Sequence, residues 1–539
     1  MNKPIRKVSI ALAVLFLALF VNLNFVQVVK GSDYRNDPQN RRVLLNEYSS
    51  PRGQIVVQPG TPVAESKKTS DELKYLRNYP QGPIFAPVTG YYSFTYGATG
   101  IESAENDILS GDSPELFTTK LTNLLTGRDP RGGSVALTIS RQAQVAAYNA
   151  MRGADGQLRR GAVVALDPMT GAILAMVSTP SFDPNKLSSH NSTEITRAYK
   201  QYNSMKSQPL LNRAISQNYP AGSIFKIIDS AAALQLSSGN GEAITPDTRI
   251  PAADGYRPFD PKDTSACPAA LNTACVENFG GETCDNGKDA TLDFAFAKSC
   301  NTAFAQLAVD RIGGTDLAKQ AAAFGFDLPY QGTRPPDFCD PPAMTIPLSV
   351  CRSSVGSQSD MADPAALAQT AFGQRDVRIT PIQAAMLSSA VAFDGLLMKP
   401  YLVAKELRPN LDTLNQTDPV QLGQVIDPTV DQDLIRMMED VVYSDEGTGH
   451  LARIQDLEPQ VRIGGKTGTA DVGATSASSN EPDAWFTGFA LLNGQPRIAV
   501  AVIIENGGVA GDESAGGLAA APVAQKVMSA YLRTLSGVG

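Results

Sequence analysis

The apolar segment near the N-terminus constrains the fold of this chain more than any other feature. Residues 8–29 are almost entirely apolar, with Asn22, Asn24 and Gln27 among the few polar side chains, and basic residues precede them at positions 3, 6 and 7. A helix of about 20 apolar residues spans a bilayer, and basic residues stay on its cytoplasmic side. We therefore expect a cytoplasmic tail at residues 1–7, an anchor at residues 8–29 and an exported remainder. A cleaved signal peptide is the alternative, but no small-x-small cleavage site follows promptly.

The composition argues against several classes of function. At 539 residues the chain has room for about three domains, and its 42% hydrophobic and 19% charged residues are an ordinary globular balance. The net charge of −8 argues against a nucleic-acid partner. The chain has two histidines, His190 and His450, and no Cys-x-x-Cys, so we expect neither a bound metal nor a cofactor.

The cysteines fit an exported protein, because cysteines outside the cytoplasm usually pair. Five of the six fall in polar, Pro- and Gly-rich stretches: Cys267, Cys275, Cys284, Cys339 and Cys351. The sequence does not determine how they pair. We favour Cys339 with Cys351, and Cys284 with either Cys267 or Cys275. Cys300 lies in an apolar helical context and is predicted to be a buried thiol.

The segment from Tyr219 to Lys226 carries the first candidate catalytic residues. Its sequence, Tyr-Pro-Ala-Gly-Ser-Ile-Phe-Lys, opens a helix predicted to reach about residue 236, with apolar residues around most of its circumference. Ser223 falls in the first turn, where backbone N–H groups are unpaired, and Lys226 lies one turn along. A serine needs a base to become a nucleophile, and a lysine is a base only as a free amine. Ser-x-x-Lys is a weak pattern, however, and taken alone it more often marks a capping serine with a solvated lysine.

Two further motifs follow in order along the chain. Ser299-Cys300-Asn301 opens a new helix, although Ser-x-Asn occurs five times in the chain and has little weight alone. Lys466-Thr467-Gly468 lies in a predicted strand, where Gly468 leaves room for a substrate backbone. Lys466 and the threonine hydroxyls can hold a carboxylate. A nucleotide-binding loop is the competing interpretation of Gly465-Lys466-Thr467, but the glycine it requires is Gln460 here, and a strand rather than a helix is expected afterwards.

The distribution of predicted strands indicates a two-lobed domain. Two apolar runs flank a turn at Asp167–Gly171, three more strands lie near the C-terminus, and mostly helical sequence separates the two groups. One mixed sheet built from both ends, with the helical block as a second lobe, would place a cleft between the lobes. Residues 31–133 are predicted to be a spacer that carries no catalytic residues. One of its strands is predicted to start at Arg52-Gly-Gln-Ile55. The remaining expectations are strands at 461–470, 484–490 and 497–504, helices at 140–151, 302–311, 381–393 and 518–535, and an exposed connection at 408–429.

The ordered set Ser-x-x-Lys, Ser-x-Asn and Lys-Thr-Gly resembles that of the penicillin-recognising serine acyltransferases. With an N-terminal anchor, an Arg-Gly-Gln-Ile spacer start at Arg52 and no preceding glycosyltransferase-sized domain, the chain is similar to class B penicillin-binding proteins, especially those of actinobacteria. The resemblance implies an α+β fold with a mostly antiparallel five-stranded sheet and an all-helical lobe. It implies a non-catalytic spacer, or pedestal, at 30–135 and a transpeptidase domain at 136–539.

The resemblance also implies roles for individual residues. Ser223 would attack the penultimate D-alanine carbonyl of a peptidoglycan stem peptide, Lys226 would take its proton, and Ser299 would relay a proton to the leaving D-alanine. An amine of a neighbouring stem peptide would then release the acyl group as a cross-link, and β-lactams would be trapped as stable adducts. The remaining implied site residues are Asn301 on the acyl chain, Lys466, Thr467, Gly468 and Thr469 at the terminal carboxylate, and the Ser223 and Thr469 N–H groups as the oxyanion hole. Two positions depart from the pattern: Asp483 where relatives often have histidine, and Cys300 where they often have serine.

The implied partners are donor and acceptor stem peptides, β-lactam antibiotics, a membrane glycosyltransferase and proteins of cell division or elongation. A D,D-carboxypeptidase or slow β-lactamase on the same fold is one alternative, although the chain lacks the Glu-x-x-Leu-Asn that positions a deacylating water in one lactamase group. The other is a non-catalytic division scaffold or β-lactam sensor. A scaffold would tolerate loss of the catalytic residues, and all of them are present.

Overall fold

The computed structural model describes residues 3–30, 48–116, 131–236, 243–260, 262, 265, 267, 275–332, 334–470, 482–507 and 516–535. The chain begins with the helix Lys3–Asn24, which continues as the π-helical turn Phe25–Val29. Its apolar part, Ile5–Gln27, has a mean hydropathy of 2.3, and none of it is buried by the rest of the protein. The helix is long and apolar enough to cross a membrane, as the sequence predicts.

The central sheet of the domain that follows has five strands, all antiparallel to their neighbours. Two strands come from the early part of the chain and three from the end, which confirms the predicted assembly from both ends, although the sheet is antiparallel throughout rather than mixed. The turn at Asp167 forms as expected, with the Asp167 carboxylate accepting from the Met169 N–H at 3.0 Å and Gly171 at a φ of +80°. Across the sheet, the strands are Val461–Ala470, Asp483–Leu492, Gln495–Ile504, Gly161–Leu166 and Ile173–Thr179.

Both faces of this sheet are covered, which explains why its strands are almost continuously apolar. Val163 and Val500 pack toward the helices Arg141–Ala150 and Ala521–Leu535, whereas their neighbours pack toward the helix Pro381–Ala392 on the other face. Every residue of Pro381–Ala392 is buried. These three helices confirm the ones predicted at 140–151, 518–535 and 381–393, within a few residues at their ends.

The second lobe is mostly helical and lies against one end of the sheet. Two short ladders, Arg249–Pro251 with Asp289–Thr291 and Gly255–Tyr256 with Val276–Glu277, are added to the helices. The predicted helix at 302–311 forms as Asn301–Leu307 followed by the π-helical turn Ala308–Ile312. The other helices here are Lys226–Gln235, Leu292–Lys298, Gly314–Ala323, Gln358–Ala362, Pro364–Thr370 and Pro428–Tyr443.

The region before the five-stranded sheet forms a six-stranded sheet that is completed by strands from much later in the chain. The first late strand, Val403–Leu407, pairs with Ser134–Ser140, and the second, Thr413–Gln416, forms the sheet edge. The exposure predicted at 408–429 is confirmed for most of these residues, but the interpretation as a simple connection is wrong, since the stretch holds the strands Thr413–Gln416 and Gln421–Gln424. Both faces of these strands carry polar side chains, so the sequence lacks the alternation of apolar and polar residues that would predict a strand. The other strands of the sheet are Ile55–Gln58, Thr61–Lys68 and Tyr75–Asn78, and the helices beside it are Gly82–Thr89, Gly100–Ala104 and Asn106–Ser110.

Three disulfides connect the cysteines: Cys267–Cys275, Cys284–Cys300 and Cys339–Cys351. The predicted Cys339–Cys351 pair is confirmed. The predicted pairing of Cys284 with Cys267 or Cys275 is wrong, and Cys300 is not a free thiol. Cys300 lies at the junction between two helices, where the chain turns and brings its Cα within 5.9 Å of that of Cys284. Its apolar sequence surroundings do not reveal this turn.

The carboxyl groups of Glu105 and Glu406 meet where the strand Val403–Leu407 approaches the helices Gly100–Ala104 and Asn106–Ser110. Glu105 and Glu406 line a cleft of about 250 Å³, together with Lys399 and Asp418. Burial raises the pKa of Glu105 to about 7, and the charge of Glu406 together with a hydrogen bond between the two side chains adds to this shift. The folded protein therefore keeps a proton on Glu105 at pH values where the unfolded chain has lost it.

This protonation predicts how stability depends on pH. The folded pKa of Glu105 lies above the unfolded value of about 4.3, so its contribution to the free energy of unfolding is largest below that value and is lost as the pH rises through about 7. Glu105→Gln cannot titrate and should flatten this part of the dependence, measured as denaturation midpoints between pH 4.5 and 7.5. Glu72→Gln, at an exposed position, is the matched control and should behave as wild type. An unchanged profile in Glu105→Gln would contradict the shared proton.

Candidate active site

The segment that holds Ser223 is a tight turn pressed against the end of a strand. Residues Gly222–Phe225 form a 3-10 turn, and the α-helix Lys226–Gln235 begins directly afterwards. Gly222 has a φ of +54°, and a Cβ there would lie 2.6 Å from the carbonyl oxygen of Thr469, so only glycine fits. Ser223 is partly exposed between buried neighbours, and the helix is buried from Lys226 to Leu234. The predicted buried central helix is confirmed, with its first turn tighter than expected.

Lys226 connects the first motif to the second. Its Nζ lies 2.5 Å from the carbonyl oxygen of Ser299, 3.1 Å from the Ser299 Oγ and 2.8 Å from the Oδ1 of Asn301. The side chain is fully buried, and its Nζ lies 5.3 Å from the centre of the Phe304 ring. Two of these three oxygens only accept, whereas the hydroxyl can accept or donate. The arrangement therefore suits both an ammonium and a free amine.

The Ser299-Cys300-Asn301 turn is held in an uncommon conformation. Ser299 ends the helix Leu292–Lys298 with a φ of +69°, a value that residues other than glycine seldom adopt. Asn278 fixes the start of the next helix, since its Oδ1 accepts from the Thr302 N–H at 3.1 Å. The Cys284–Cys300 disulfide ties the middle of the turn to a neighbouring loop. Such strain persists only where surrounding contacts enforce it, and it concentrates at functional sites.

The third motif lies on the strand Val461–Ala470, which we call the Lys466 strand. Lys466 is fully buried, with its Nζ 3.2 Å from the Thr467 carbonyl oxygen and 5.5 Å from the centre of the Phe296 ring. A Cβ at Gly468 would lie 3.0 Å from the Trp485 Cβ and 3.1 Å from Ile224 Cγ2. Glycine here lets the strand approach the Ser223 turn, a packing reason beyond the predicted space for substrate. Because a strand follows Lys466, the nucleotide-binding loop is excluded.

Comparison with known proteins agrees with this geometry. A family model described as the penicillin binding protein transpeptidase domain matches residues 161–529. The chain belongs to the penicillin-binding protein transpeptidases. A second model, the penicillin binding protein A dimerisation domain, matches residues 52–135.

The relatives of this penicillin-binding protein include two full-length mycobacterial enzymes. The chain is 42% identical to peptidoglycan D,D-transpeptidase PbpA of Mycolicibacterium smegmatis and 39% identical to PbpA of Mycobacterium tuberculosis, over 99% of both chains in each case. Penicillin-binding protein A of M. tuberculosis in its ceftriaxone acyl-enzyme complex has a TM-score of 0.78 at 39% identity, covering 91% of this chain and 100% of that one. Its penicillin G acyl-enzyme complex has a TM-score of 0.77 at 37% identity, covering 90% and 100%.

Several residues that support the Ser223 turn of this penicillin-binding protein carry no sequence signal. The Glu505 carboxylate accepts from Arg213 and from the Tyr219 hydroxyl, each at 2.8 Å, and the Trp485 indole donates to the Pro220 carbonyl oxygen at 3.0 Å. These side chains hold the residues just before Ser223 although they are far apart in the chain. Only folding reveals the cluster.

Two buried carboxyl groups set the electrostatics around the site. Burial raises the pKa of Asp229 well above its usual value, against the opposing effect of Lys226 one turn earlier. A carboxyl group with a raised pKa favours the ammonium form of Lys226 less than an ordinary aspartate would. Burial also raises the pKa of Asp483 to about 6, and its Oδ1 accepts from the Asn506 N–H at 3.0 Å. Asp483, at the position that is often histidine in relatives, is thus a buried residue at the start of its strand.

Among the residues that the structure describes, no group of three or more His, Cys, Asp or Glu side chains could hold a metal ion. The three motifs supply hydroxyl, amine and amide groups, together with backbone N–H groups.

Proposed function

We propose that this penicillin-binding protein is a membrane-anchored peptidoglycan D,D-transpeptidase in which Ser223 forms the acyl-enzyme. One observation carries the assignment of residues. The Lys226 amine lies between the Ser299 hydroxyl and the Asn301 amide, while the Lys466 strand packs against the turn that holds Ser223. Parts of three motifs far apart in the chain thus lie beside the turn that holds Ser223, which supports a shared site.

In the first half of the reaction Ser223 attacks the penultimate D-alanine carbonyl of the donor peptide. Lys226 accepts the serine proton as a free amine, and the raised pKa of Asp229 reduces the negative charge that would otherwise favour the ammonium form. The backbone N–H groups of Ser223 and Thr469 stabilise the oxyanion. Lys466 supplies positive charge for the terminal carboxylate, and Thr467 and Thr469 supply hydrogen bonds.

In the second half the C–N bond breaks and the terminal D-alanine leaves. Ser299 passes a proton to the departing amine, and the bond between Ser299 Oγ and Lys226 gives that proton a path back from the lysine. Asn301 can hold the acyl chain, since its Nδ2 donates to the Glu277 carbonyl oxygen at 3.4 Å, a long bond that a substrate oxygen can replace. The acceptor amine then attacks the ester, which forms the cross-link and frees Ser223.

Mass spectrometry of the intact protein with penicillin tests the proposal. We expect one penicillin adduct per protein, and digestion should locate it on the peptide that contains Ser223. The adduct should persist for longer than the enzyme needs to form cross-linked product from a donor peptide and an acceptor amine. Rapid loss of the adduct in water would instead favour a β-lactamase, and donor hydrolysis without amine transfer a D,D-carboxypeptidase. A folded protein that forms no adduct would favour the scaffold alternative.

The proposal extends to the placement of the chain in the cell. Residues 1–7 are cytoplasmic, residues 8–29 anchor the chain, 30–135 form the pedestal and 136–539 the transpeptidase domain on the outer side. The basic residues before the apolar helix support this orientation. Partners would be a membrane glycosyltransferase and proteins of division or elongation. Reporter fusions at each terminus test the orientation: a C-terminal alkaline phosphatase should be active, and an inactive one would reverse the topology.

A further inference from the structure

A loop outside the three motifs contacts a proposed substrate-binding residue. The clasp loop, residues 444–449, follows the helix Pro428–Tyr443. Its Thr448 Oγ1 lies 2.6 Å from the Oγ1 of Thr467 on the Lys466 strand and 3.4 Å from the Ala297 carbonyl oxygen. Ala297 lies in the last turn of the helix that Ser299 ends, where carbonyl groups lack helical partners. One side chain thus joins the helix that ends at Ser299 to the third motif.

The position of Thr448 is fixed by its neighbours. The Gly449 N–H donates to the Val441 carbonyl oxygen at 2.8 Å, and a Cβ at Gly447 would lie 2.4 Å from the same oxygen. Glu446 pairs with Lys298 at 3.0 Å, which ties the loop to the helix that ends at Ser299. A Cβ at Gly517 would lie 2.1 Å from the Thr448 carbonyl oxygen, so a further segment packs on the loop.

The two hydroxyls can be satisfied in two ways. Each has one proton to donate and can accept two hydrogen bonds. Without substrate, Thr467 can donate to Thr448, and Thr448 to the Ala297 carbonyl oxygen. When Thr467 donates to a carboxylate, Thr448 must donate to Thr467 for the 2.6 Å contact to remain a hydrogen bond. Both protons stay on their own oxygens, and only the direction of the bond between them reverses.

We propose that Thr448 is a positioning residue that turns the Thr467 hydroxyl toward the terminal carboxylate of the donor peptide. This inference rests on the proposed function, because it takes Thr467 to bind that carboxylate. With the carboxylate bound, donation from Thr448 strengthens the bond that Thr467 makes, since hydrogen bonds in a chain polarise one another. Thr467 is 3% exposed, so without Thr448 its oxygen would be left without a donor in the bound state.

Two variants test this role. Thr448→Val keeps the shape and removes the hydroxyl, and it should lower kcat/KM for acylation by a thioester donor with a free terminal carboxylate roughly ten- to a hundredfold. Thr448→Ser restores the hydroxyl and should recover the rate to within roughly threefold of wild type. The methyl ester of the same donor has no carboxylate, so Thr448→Val should acylate with it at the wild-type rate. If Thr448→Val fails to fold, Thr448→Ala carries the same comparison.

A double-mutant cycle separates positioning from general stability. Thr448→Val should add almost nothing to the loss in Thr467→Val, because both remove the same contact. A wild-type rate in Thr448→Val, equal losses with both donors, additive losses in the cycle, or no recovery with serine would each overturn the inference. Failure of wild-type Ser223 to be acylated at all would instead overturn the proposed function.

Discussion

Ser223→Ala should eliminate penicillin labelling while leaving the fold unchanged. The side chain lies in a turn fixed by its glycine neighbour and is partly exposed, so loss of one oxygen opens no cavity in the core. Removal of a serine nucleophile lowers a rate by roughly 10⁴- to 10⁶-fold, since no other group forms the ester. Labelling by a fluorescent penicillin and thermal denaturation measure the two effects. Ser230→Ala, in the buried helix that follows the Ser223 turn, is the matched control and should label as wild type.

Lys226→Met extends the same test from the nucleophile to its base. Methionine fills the buried space and removes the amine, so acylation should fall by about 10²- to 10⁴-fold, the usual contribution of a general base. The residual acylation rate should no longer depend on pH through the titration of the Lys226 amine. Lys319→Met is the control and should label as wild type, since Lys319 is exposed on the helix Gly314–Ala323. Labelling that persists in Lys226→Met with an unchanged pH profile would show that another group takes the serine proton.

Local patterns in the sequence were sufficient to predict much of the site. Ser223 and Lys226 are one turn apart at the start of an apolar helix. The continuous apolar runs of the central strands predict a sheet that is covered on both faces. Each feature depends on neighbouring residues, so periodicity reveals it. By resemblance, the order of the three motifs indicates one shared site, and the Lys226 amine does contact Ser299 and Asn301.

Contacts between distant residues could not be predicted in this way. Glu505 accepts a hydrogen bond from Arg213, and the Thr448 hydroxyl forms a hydrogen bond with that of Thr467. No sequence pattern predicts either contact. Cys300 illustrates the same limit, because burial was inferred correctly but its partner depends on the turn at Ser299. Ser299 adopts a positive φ without being glycine, so no local pattern announces the turn.

The second large effect is expected beside the six-stranded sheet, where one buried carboxylate pairs with two arginines. Glu102 is fully buried, with one oxygen 2.7 Å from Arg52 Nε and the other 2.5 Å from Arg77 Nε. The Tyr79 hydroxyl donates to it at 3.1 Å. Burial alone would raise the pKa of Glu102, but Arg77 and Arg52 outweigh it and hold that pKa below its usual range. The carboxylate is therefore ionised and is the shared counter-charge of both guanidinium groups.

Glu102→Gln should lower the free energy of unfolding by about 3–5 kcal/mol, because a glutamine keeps the shape but leaves two buried cations without a counter-charge. Glu439→Gln removes the partner of Arg462 in a more exposed pair and should cost at most about 1 kcal/mol. Far-UV circular dichroism reports the whole chain, whereas fluorescence of Trp485 reports the catalytic sheet. Both denaturation midpoints should fall together, because the strands Val403–Leu407 and Thr413–Gln416 complete the pedestal sheet from the catalytic side. A shift in the circular dichroism midpoint alone would mean that the shared sheet does not couple the two regions. If neither midpoint shifted, the Glu102 charge would not contribute to stability.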